Sequence, residues 1–309
     1  MALIEVRVMR GRYFRLPVVL TVLAVASLSV ATGYCESGPD LPIKTTVGFL
    51  LYRDYLIVVR GSAGPLKGLN FLLDTGTSPS ILNPRLVERL HLKPTPAVIS
   101  VLSDNVQAGT VTVPSLEFGP VRRYNLPVMV QDISVLEKIL PFQVDGIVGL
   151  DLLGQSTFVI DYASREIQFG PSPSMPVSVP LQMKEGLAIV DATVNHASVH
   201  LVLDTGAATL VLFEGRPDPV TGSKTGGAGP LPKTVGDIER KEIRLTNLSL
   251  GEAEFGSERA FMVPNPRDEG HDFDGLISPA ALGITRVAVD LTRGTLSFAH
   301  SSRRFVLAD

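Results

Sequence analysis

Short apolar runs separated by turn-forming residues dominate most of the chain. The runs are rich in Val, Ile, Leu and Phe, and Gly, Pro, Asn or Asp bound them on both sides. Runs of this kind are typical of β-strands joined by tight turns. Examples are YLIVVRG, LNFLLD, TVTVPSLEF, LAIVDATV and VHLVLD. The pattern predicts a mainly β protein.

Helical patterns are few and short. The segment NPRLVERLHL has Asn83 in the position of an N-cap, Pro84 in the first helical position and apolar residues at helical spacing, so a helix is predicted there. The segments GLDLLG and SPAALG predict one or two helical turns each.

The same series of sequence elements occurs twice, with an offset of about 130 residues between the copies. FLLDTGTSPSIL contains Asp74, and LVLDTGAATLVL contains Asp204. Two further aspartates recur in the same order: Asp145 in VDGIVGLDLLG with Asp274 in FDGLISPAALG, and Asp161 in TFVIDYASREIQF with Asp290 in RVAVDLTRGTLSF. The last pair stands in hairpin-like contexts, where we expect an aspartate that caps a turn.

A proline-rich segment separates the two copies. Residues 171–180 contain four prolines, which break helices and central strands, so we interpret this segment as a linker. It divides an N-terminal lobe of residues 34–170 from a C-terminal lobe of residues 181–309. Each lobe has the size of an ordinary compact unit. Two similar lobes in one chain predict a pseudo-twofold axis between them.

The first 33 residues have the pattern of an export signal. Several arginines precede an apolar run at residues 16–31, which ends in small residues. The run contains Pro17 and is shorter than the roughly 20 residues that span a bilayer, so cleavage is favoured over a retained anchor. We therefore predict an exported protein, periplasmic or extracellular. The alternative is membrane association through residues 16–31.

Composition narrows the function further. A chain of 309 residues with 45% hydrophobic residues can bury an ordinary core. The net charge of −3 provides no basic surface for nucleic acid. The single cysteine, Cys35, excludes a disulfide within the chain and a metal site built from several cysteines.

The repeated Asp-Thr-Gly places a carboxylate directly after an apolar strand. An ionised carboxylate is costly there unless it is hydrogen-bonded or shares a proton. Gly76 and Gly206 permit a tight turn and the close approach of another group. The hydroxyls of Thr75 and Thr205 can donate and accept, so we expect them to hydrogen-bond across the junction of the lobes.

DTGTS and DTGAA, each followed about 70 residues later by Asp-Gly and two apolar residues, resemble the aspartic proteases of the pepsin and retropepsin superfamily. The resemblance implies a bilobal fold of two pseudo-twofold-related β lobes with few short helices, as two retropepsin-like lobes fused in one chain. It implies an endopeptidase with an acidic pH optimum, a peptide or protein substrate, and neither cofactor nor metal. The catalytic pair would be Asp74 and Asp204, supported by Thr75, Gly76, Thr77, Thr205, Gly206 and Ala207.

In that superfamily two like carboxyls share one proton, one acting as general base on a water and the other as acid toward the substrate carbonyl. The two copies here differ after the glycine, at Thr77 and Ala207. A hydroxyl at Thr77 would favour the charged form of Asp74, so we expect Asp74 to be the base and Asp204 to hold the proton.

The resemblance also implies a close strand crossing in each lobe and a hairpin flap over the substrate. Ser278 stands where the first lobe has Gly149 and the family prefers glycine, so the resemblance supports the close crossing less strongly in the second lobe. The flap candidates are residues 98–113, with a tip near Ser103 to Asn105, and the Gly-rich residues 221–232.

Three alternatives remain open. The favoured interpretation is a monomeric enzyme. The first alternative is a peptide-binding protein of the same fold without catalysis, and the second is an enzyme in which each lobe pairs with a lobe of a second chain. The third is a purely structural β protein. A degenerate binder would be expected to lose one of the two aspartates, and both Asp74 and Asp204 are present.

Overall fold

The computed structural model describes residues 45–101, 104–154, 156–215, 241–265 and 272–300, with short strand pieces at 24–25, 231–232 and 237–238. Most of the described residues lie in β-strands, so the mainly β fold is confirmed. The predicted export segment lies outside the described residues apart from Ala24 and Val25. Within the described part of the chain, no helix is long and apolar enough to cross a membrane.

The first half of the chain contains twelve described strands and three short helices. The strands are β1 Ala24–Val25, β2 Thr45–Gly48, β3 Leu50–Tyr52, β4 Leu56–Ala63, β5 Leu66–Leu73, β6 Ile81–Leu82, β7 Thr95–Val101, β8 Asp104–Phe118, β9 Val121–Val130, β10 Gly146–Val148, β11 Thr157–Asp161 and β12 Glu166–Phe169. The helices are α1 Pro84–Arg89, a 3-10 helix Ser134–Lys138 and α2 Leu150–Leu153.

The described part of the second half consists of strands joined by turns. They are β13 Val177–Lys184, β14 Leu187–Val194, β15 Ala197–Leu203, β16 Leu210–Phe213, β17 Leu231–Pro232, β18 Asp237–Ile238, β19 Lys241–Arg244, β20 Leu248–Leu250, β21 Ala253–Glu254, β22 Arg259–Val263, β23 Gly275–Ile277, β24 Ile284–Asp290 and β25 Thr295–His300.

The helix predicted after the first repeat phrase is present as α1. Asn83 is its N-cap, and the side-chain oxygen accepts a hydrogen bond of 3.1 Å from the backbone N–H of Arg85. GLDLLG forms α2, whereas SPAALG forms a hydrogen-bonded turn. That turn ends at Gly283, whose φ of 64° is in the left-handed region and stops a helix.

The same strand arrangement is built twice. In the first half, β10 lies parallel to β5 and antiparallel to β6. In the second half, β23 lies parallel to β15 and antiparallel to β16. In both halves the strand that leads into Asp-Thr-Gly is therefore paired with the strand that begins at the glycine of the Asp-Gly element.

One sheet joins the two halves. β11 and β24 pair antiparallel with Val159 opposite Ala288, and the sheet continues through β12 to β2 on one side and through β25 to β13 on the other. Val159 and Ala288 occupy matching positions of the two repeats, so the pseudo-twofold axis passes through this residue pair. The largest hydrophobic cluster also crosses the junction, from Phe71 in the first half to Phe298 in the second.

The aspartates that end β11 and β24 cap turns, as expected. Asp161 Oδ1 accepts hydrogen bonds from the backbone N–H groups of Ala163 and Ser164 at 3.1 and 3.0 Å. Asp290 Oδ1 accepts the corresponding hydrogen bonds from Thr292 and Arg293 at 3.1 and 3.0 Å. Asp161 and Asp290 thus lie in the sheet that joins the two halves, and these hydrogen bonds do not involve the Asp-Thr-Gly loops.

The glycine of the second Asp-Gly element is required for the strand crossing. A Cβ at Gly275 would overlap the carbonyl oxygen of Val211, which is backbone and cannot rotate away. We predict that Gly275→Ala lowers the free energy of unfolding by about 1–3 kcal/mol or more. Gly48→Ala is the control, because a Cβ there meets nothing within 4 Å. Urea unfolding of both variants tests the prediction, and equal midpoints would contradict it.

Candidate active site

Asp74 and Asp204 are the first residues after β5 and β15, and both are fully buried. The backbone N–H of Asp74 donates to the carbonyl of Val148 at 3.0 Å, and that of Asp204 donates to the carbonyl of Ile277 at the same distance. Each aspartate is therefore held at the point where its strand passes the last residue of β10 or β23. The two positions are equivalent under the pseudo-twofold axis.

The repeated Asp of the Asp-Gly element hydrogen-bonds the strand that leads into Asp74 or Asp204. Asp145 Oδ2 accepts a hydrogen bond of 2.8 Å from the backbone N–H of Asn70, four residues before Asp74. Asp274 Oδ2 accepts the same bond, also 2.8 Å, from His200. The sequence shows that Asp145 and Asp274 recur, but it does not show these hydrogen bonds, whose donors lie more than 70 residues away along the chain.

The two threonines interlock the lobes, as expected from their hydroxyls. The backbone N–H of Thr75 donates to Thr205 Oγ1 at 3.1 Å, and the backbone N–H of Thr205 donates to Thr75 Oγ1 at 3.2 Å. In turn, Thr75 Oγ1 donates to the carbonyl of Leu203 at 2.6 Å, and Thr205 Oγ1 donates to that of Leu73 at 3.2 Å. Four buried hydrogen bonds thus fix one Asp-Thr-Gly loop against the other.

The two glycines bring each carboxyl against the opposite loop. Gly76 donates its backbone N–H to Asp74 Oδ1 at 2.8 Å, and Gly206 donates to Asp204 Oδ1 at 2.7 Å. A Cβ at Gly76 would lie 2.8 Å from Cγ of Asp204, and a Cβ at Gly206 would lie 2.7 Å from Cγ of Asp74. The requirement for glycine is therefore steric, since each opposing carboxyl occupies the space of a side chain.

The two carboxyls differ in the hydrogen bonds that they accept. Thr77 Oγ1 donates to Asp74 Oδ2 at 2.9 Å, whereas Ala207 has no hydroxyl to offer Asp204. Asp204 Oδ2 is buried and receives no hydrogen bond from an N–H or O–H donor of the described residues. The asymmetry expected from the sequence at positions 77 and 207 is therefore present in the carboxyl environments.

The pKa values of the two carboxyls differ in the way that these hydrogen bonds predict: both are raised, and that of Asp74 is held lower. Burial raises the pKa of Asp74 to about 6, and hydrogen bonds from Thr77, Gly76 and the Asp204 carboxyl limit the rise. Burial raises the pKa of Asp204 well above its usual range, and the negative charge of Asp74 raises it further. Between these two pKa values, Asp74 is ionised and Asp204 holds the proton that the pair shares.

The close strand crossing, which the sequence supported less strongly in the second lobe because of Ser278, forms in both lobes. Leu203 lies opposite Ile277 in the same parallel pairing that places Leu73 opposite Val148. Ser278 fits because its Oγ donates to the carbonyl of Ala207 at 2.6 Å. A serine at this position is therefore compatible with the crossing, because its hydroxyl donates a hydrogen bond to the loop that contains Asp204.

A partly buried carboxyl group, that of Asp151, supports the loop of the first lobe, and sequence reasoning did not find it. Asp151 Oδ1 accepts a hydrogen bond of 2.6 Å from Ser80 Oγ, and Asp151 Oδ2 accepts one of 2.9 Å from the backbone N–H of Ser80. Ser80 Oγ in turn accepts the N–H of Gly149 at 3.0 Å. The equivalent positions in the second lobe carry Leu210 and Ala280, so these hydrogen bonds belong to the first lobe.

The first flap candidate has the form expected of it. β7 and β8 pair antiparallel from Thr95 opposite Thr110 to Val101 opposite Asp104, and residues 102–103 between them lie outside the described residues. The second candidate, residues 221–232, lies outside the described residues except for Leu231 and Pro232. Among the described residues, no group of His, Cys, Asp or Glu is arranged to hold a metal ion.

The fold and site define a class of protein: two interlocked β lobes that each contribute one buried carboxyl to a pair. Comparison with family models agrees, because residues 59–152 match the model described as aspartyl protease. The sequence of the first lobe is thus similar to aspartyl proteases, and the fold of the chain is the aspartic-protease fold, so the findings support the resemblance seen in the sequence. A comparison with curated proteins gave no match.

Two solved structures are similar to the chain. The crystal structure of the aspartic proteinase from Irpex lacteus has a TM-score of 0.53 at 14% sequence identity, and the match covers 86% of this chain and 100% of that chain. Basic 7S globulin from soybean has a TM-score of 0.46 at 12% identity, covering 84% of this chain and 95% of that chain. The first of these similarities shows the bilobal aspartic-protease fold.

The threonine interlock provides a test of how the two lobes are held together. Thr75→Val keeps the shape of the side chain and removes the hydroxyl, which leaves the buried N–H of Thr205 without its acceptor. We predict a loss of about 1–3 kcal/mol in the free energy of unfolding. Thr285→Val, which removes one hydrogen bond of 3.3 Å to Ala299, is the control and should lose less. Similar urea midpoints for both variants would contradict the interlock.

Proposed function

We propose that the chain is an aspartic endopeptidase that hydrolyses peptide bonds with Asp74 as general base and Asp204 as general acid. The observation that carries the proposal is the unequal pair of buried carboxyls. Thr77 supports the ionised form of Asp74, and Asp204 Oδ2, which accepts no hydrogen bond from the described residues, is suited to hold a proton. A pair of titratable groups with separated pKa values is the arrangement that acid–base catalysis requires.

In the proposed reaction, Asp74 removes a proton from a water molecule as that water attacks the carbonyl carbon of the scissile peptide bond. Asp204 donates its proton to the carbonyl oxygen, which gives a neutral tetrahedral intermediate. The intermediate then collapses as the C–N bond breaks: the proton taken up by Asp74 passes to the leaving amine, and one hydroxyl proton returns to Asp204. The pair ends in its starting protonation state, and no covalent bond to the protein forms.

The raised pKa values of the two carboxyls predict how activity depends on pH. Activity requires an ionised Asp74, so it falls as the pH drops through about 6, the raised pKa of that group. Activity also requires a protonated Asp204, so it falls as the pH rises through the pKa of Asp204, which burial and the negative charge of Asp74 both raise. The acidic optimum implied by the resemblance therefore moves upward, because burial raises both pKa values.

The contacts favour one chain as the working unit. All four threonine hydrogen bonds run between residues of the same chain, and the glycines pack against carboxyls of the same chain. A second copy is therefore not required to complete the pair. A non-catalytic peptide binder would have no need for carboxyls with separated pKa values. Export of the enzyme rests on residues 1–33 and stays a prediction.

Replacing either carboxyl tests the shared role of the pair. We predict that Asp74→Asn and Asp204→Asn each lower kcat/KM by at least about 10²- to 10⁴-fold, because each removes one partner of the proton transfer. The measurement is cleavage of a denatured protein and of a mixed peptide library by the full chain. Asp191→Asn is the control, since Asp191 is half exposed on β14 and should leave kcat/KM unchanged. Substantial turnover by either active-site variant would refute the mechanism.

The hydroxyl of Thr77 tests which carboxyl is the base. Thr77→Ala removes the hydrogen bond that lowers the pKa of Asp74, so that pKa should rise and the acid limb of the pH–kcat/KM profile should move up by about one pH unit. Thr77→Ser keeps a hydroxyl and should leave the acid limb in place. An unchanged acid limb in Thr77→Ala would mean that Asp74 does not act as the base.

A further inference from the structure

The end of β10 and the start of α2, residues 148–151, lie alongside the loop that begins at Asp74. The backbone N–H of Asp74 donates to the carbonyl of Val148 at 3.0 Å. One residue further on, a Cβ at Gly149 would overlap the carbonyl oxygen of Thr77, so the backbone of Gly149 is packed directly against Thr77. This segment therefore supports both the aspartate and the residue whose hydroxyl donates to it.

Ser80 ends the same loop, and all of its polar groups are hydrogen-bonded. Its carbonyl accepts the backbone N–H of Met129 on β9 at 2.9 Å. Its backbone N–H and its hydroxyl donate to the two carboxyl oxygens of Asp151 at 2.9 and 2.6 Å. Its hydroxyl oxygen also accepts the N–H of Gly149 at 3.0 Å. Because Ser80 is buried, these four hydrogen bonds fix the end of the loop.

The ionised form of Asp151 is suited to hold Ser80. A carboxylate has acceptor positions on both oxygens, so one side chain can take both donors of Ser80. Burial raises the pKa of Asp151, and the hydrogen bonds from Ser80 limit the rise. The nearby guanidinium of Arg123, on β9, is used elsewhere, since its Nε donates to the carbonyl of Leu152 at 3.1 Å. Ser80 is therefore the partner that binds the Asp151 carboxylate.

The three polar side chains of this arrangement all have apolar counterparts in the second lobe. The counterparts are Ala207 for Thr77, Leu210 for Ser80 and Ala280 for Asp151. Ser278, at the place of Gly149, instead donates its hydroxyl directly to the carbonyl of Ala207. Where the loop has no hydroxyl at the position of Thr77, the side chains that would hold that position are also missing. The hydroxyl and its support thus occur together, in the lobe of the proposed base.

We propose that Asp151 is a positioning residue for the general base: through Ser80 and Gly149 it holds the loop so that the Thr77 hydroxyl donates to Asp74. The bond that it secures is the one of 2.9 Å from Thr77 Oγ1 to Asp74 Oδ2. The inference rests on the proposed function, because it concerns the carboxyl that acts there as the base. Asp151 acts through the loop and is not itself a catalytic residue.

The first test is the acid limb of the pH–kcat/KM profile of the full chain, measured on a denatured protein. Asp151→Ala removes both acceptors of Ser80, so the acid limb should move up by about 0.5 to 1 pH unit, toward its position in Thr77→Ala. Asp151→Asn keeps one acceptor oxygen and should move the limb less. Ser80→Ala, which removes the hydroxyl that joins Asp151 to Gly149, replaces Asp151→Ala if that variant does not fold. An acid limb that stays in place would overturn the proposal.

Asp290→Ala is the matched control for a loss of stability alone. Asp290 also accepts a hydroxyl hydrogen bond of 2.6 Å, from Thr292, together with backbone N–H groups of Thr292 and Arg293. Both alanine variants should lower the midpoint of urea unfolding, whereas the acid limb should move in Asp151→Ala and stay in place in Asp290→Ala. Equal movement of the limb in the two variants would indicate a general loosening of the fold and contradict the positioning role.

A double variant tests whether Asp151 acts through Thr77. Thr77→Ala has no hydroxyl left to position, so adding Asp151→Ala should leave the acid limb within about 0.2 pH unit of its place in Thr77→Ala alone. Asp204, the titratable group that faces Asp74, is unaltered in all of these variants. Shifts that add in the double variant would show that Asp151 acts by another route, which is incompatible with the proposal.

An NMR titration of the Asp74 carboxyl separates this inference from the proposed function, because it needs no turnover. No cleavage by the unaltered chain, with an Asp74 titration that moves up in Asp151→Ala and stays in Asp290→Ala, would refute the endopeptidase and support the positioning role. Cleavage with an unmoved titration and an unmoved acid limb in Asp151→Ala would refute the positioning role and leave the endopeptidase intact. Neither cleavage nor a moved titration would refute both.

Discussion

The exchange of hydrogen bonds between Thr75 and Thr205 is the interaction on which the site depends. Each backbone N–H donates to the hydroxyl of the other threonine, and each hydroxyl donates to the carbonyl that precedes the opposite aspartate. One side chain thus satisfies two buried backbone groups of the other lobe. These backbone groups are buried away from bulk water, so the loss of either threonine hydroxyl would leave them without a hydrogen-bond partner. The lobes are therefore held in register where the carboxyls meet.

Burying two carboxyls side by side has an electrostatic consequence. Burial disfavours the charged form of both, and two like charges in contact cannot both be ionised, so the pair retains one proton above the usual pKa of an aspartate. A symmetric pair would leave the proton's location undecided. Thr77 breaks the symmetry by donating to Asp74, while Asp204 Oδ2 has no protein donor among the described residues. The Thr77 hydroxyl thus favours Asp74 as the general base and leaves the proton on Asp204, the general acid of the proposal.

Sequence reasoning found the features that recur in the chain and missed those that depend on contacts between distant residues. The two aspartates, the threonine contacts, the cap at Asn83 and the turns capped by Asp161 and Asp290 follow from local chemistry and repetition. The hydrogen bonds of Asp145 and Asp274 and those of Asp151 became visible only in space, since their partners lie about 70 residues away along the chain. The sequence did not show how Ser278 fits the strand crossing, because the acceptor of its hydroxyl, the carbonyl of Ala207, lies 71 residues away along the chain.

The central claim is that Asp74 and Asp204 share one proton that resides on Asp204. The most direct measurement is an NMR titration of the two carboxyl carbons in the intact chain, assigned with the Asp74→Asn and Asp204→Asn variants. The account predicts that the Asp74 carboxyl titrates near pH 6 while the Asp204 carboxyl loses its proton only at a higher pH. Two independent titrations near pH 4, the ordinary value for aspartate, would contradict it.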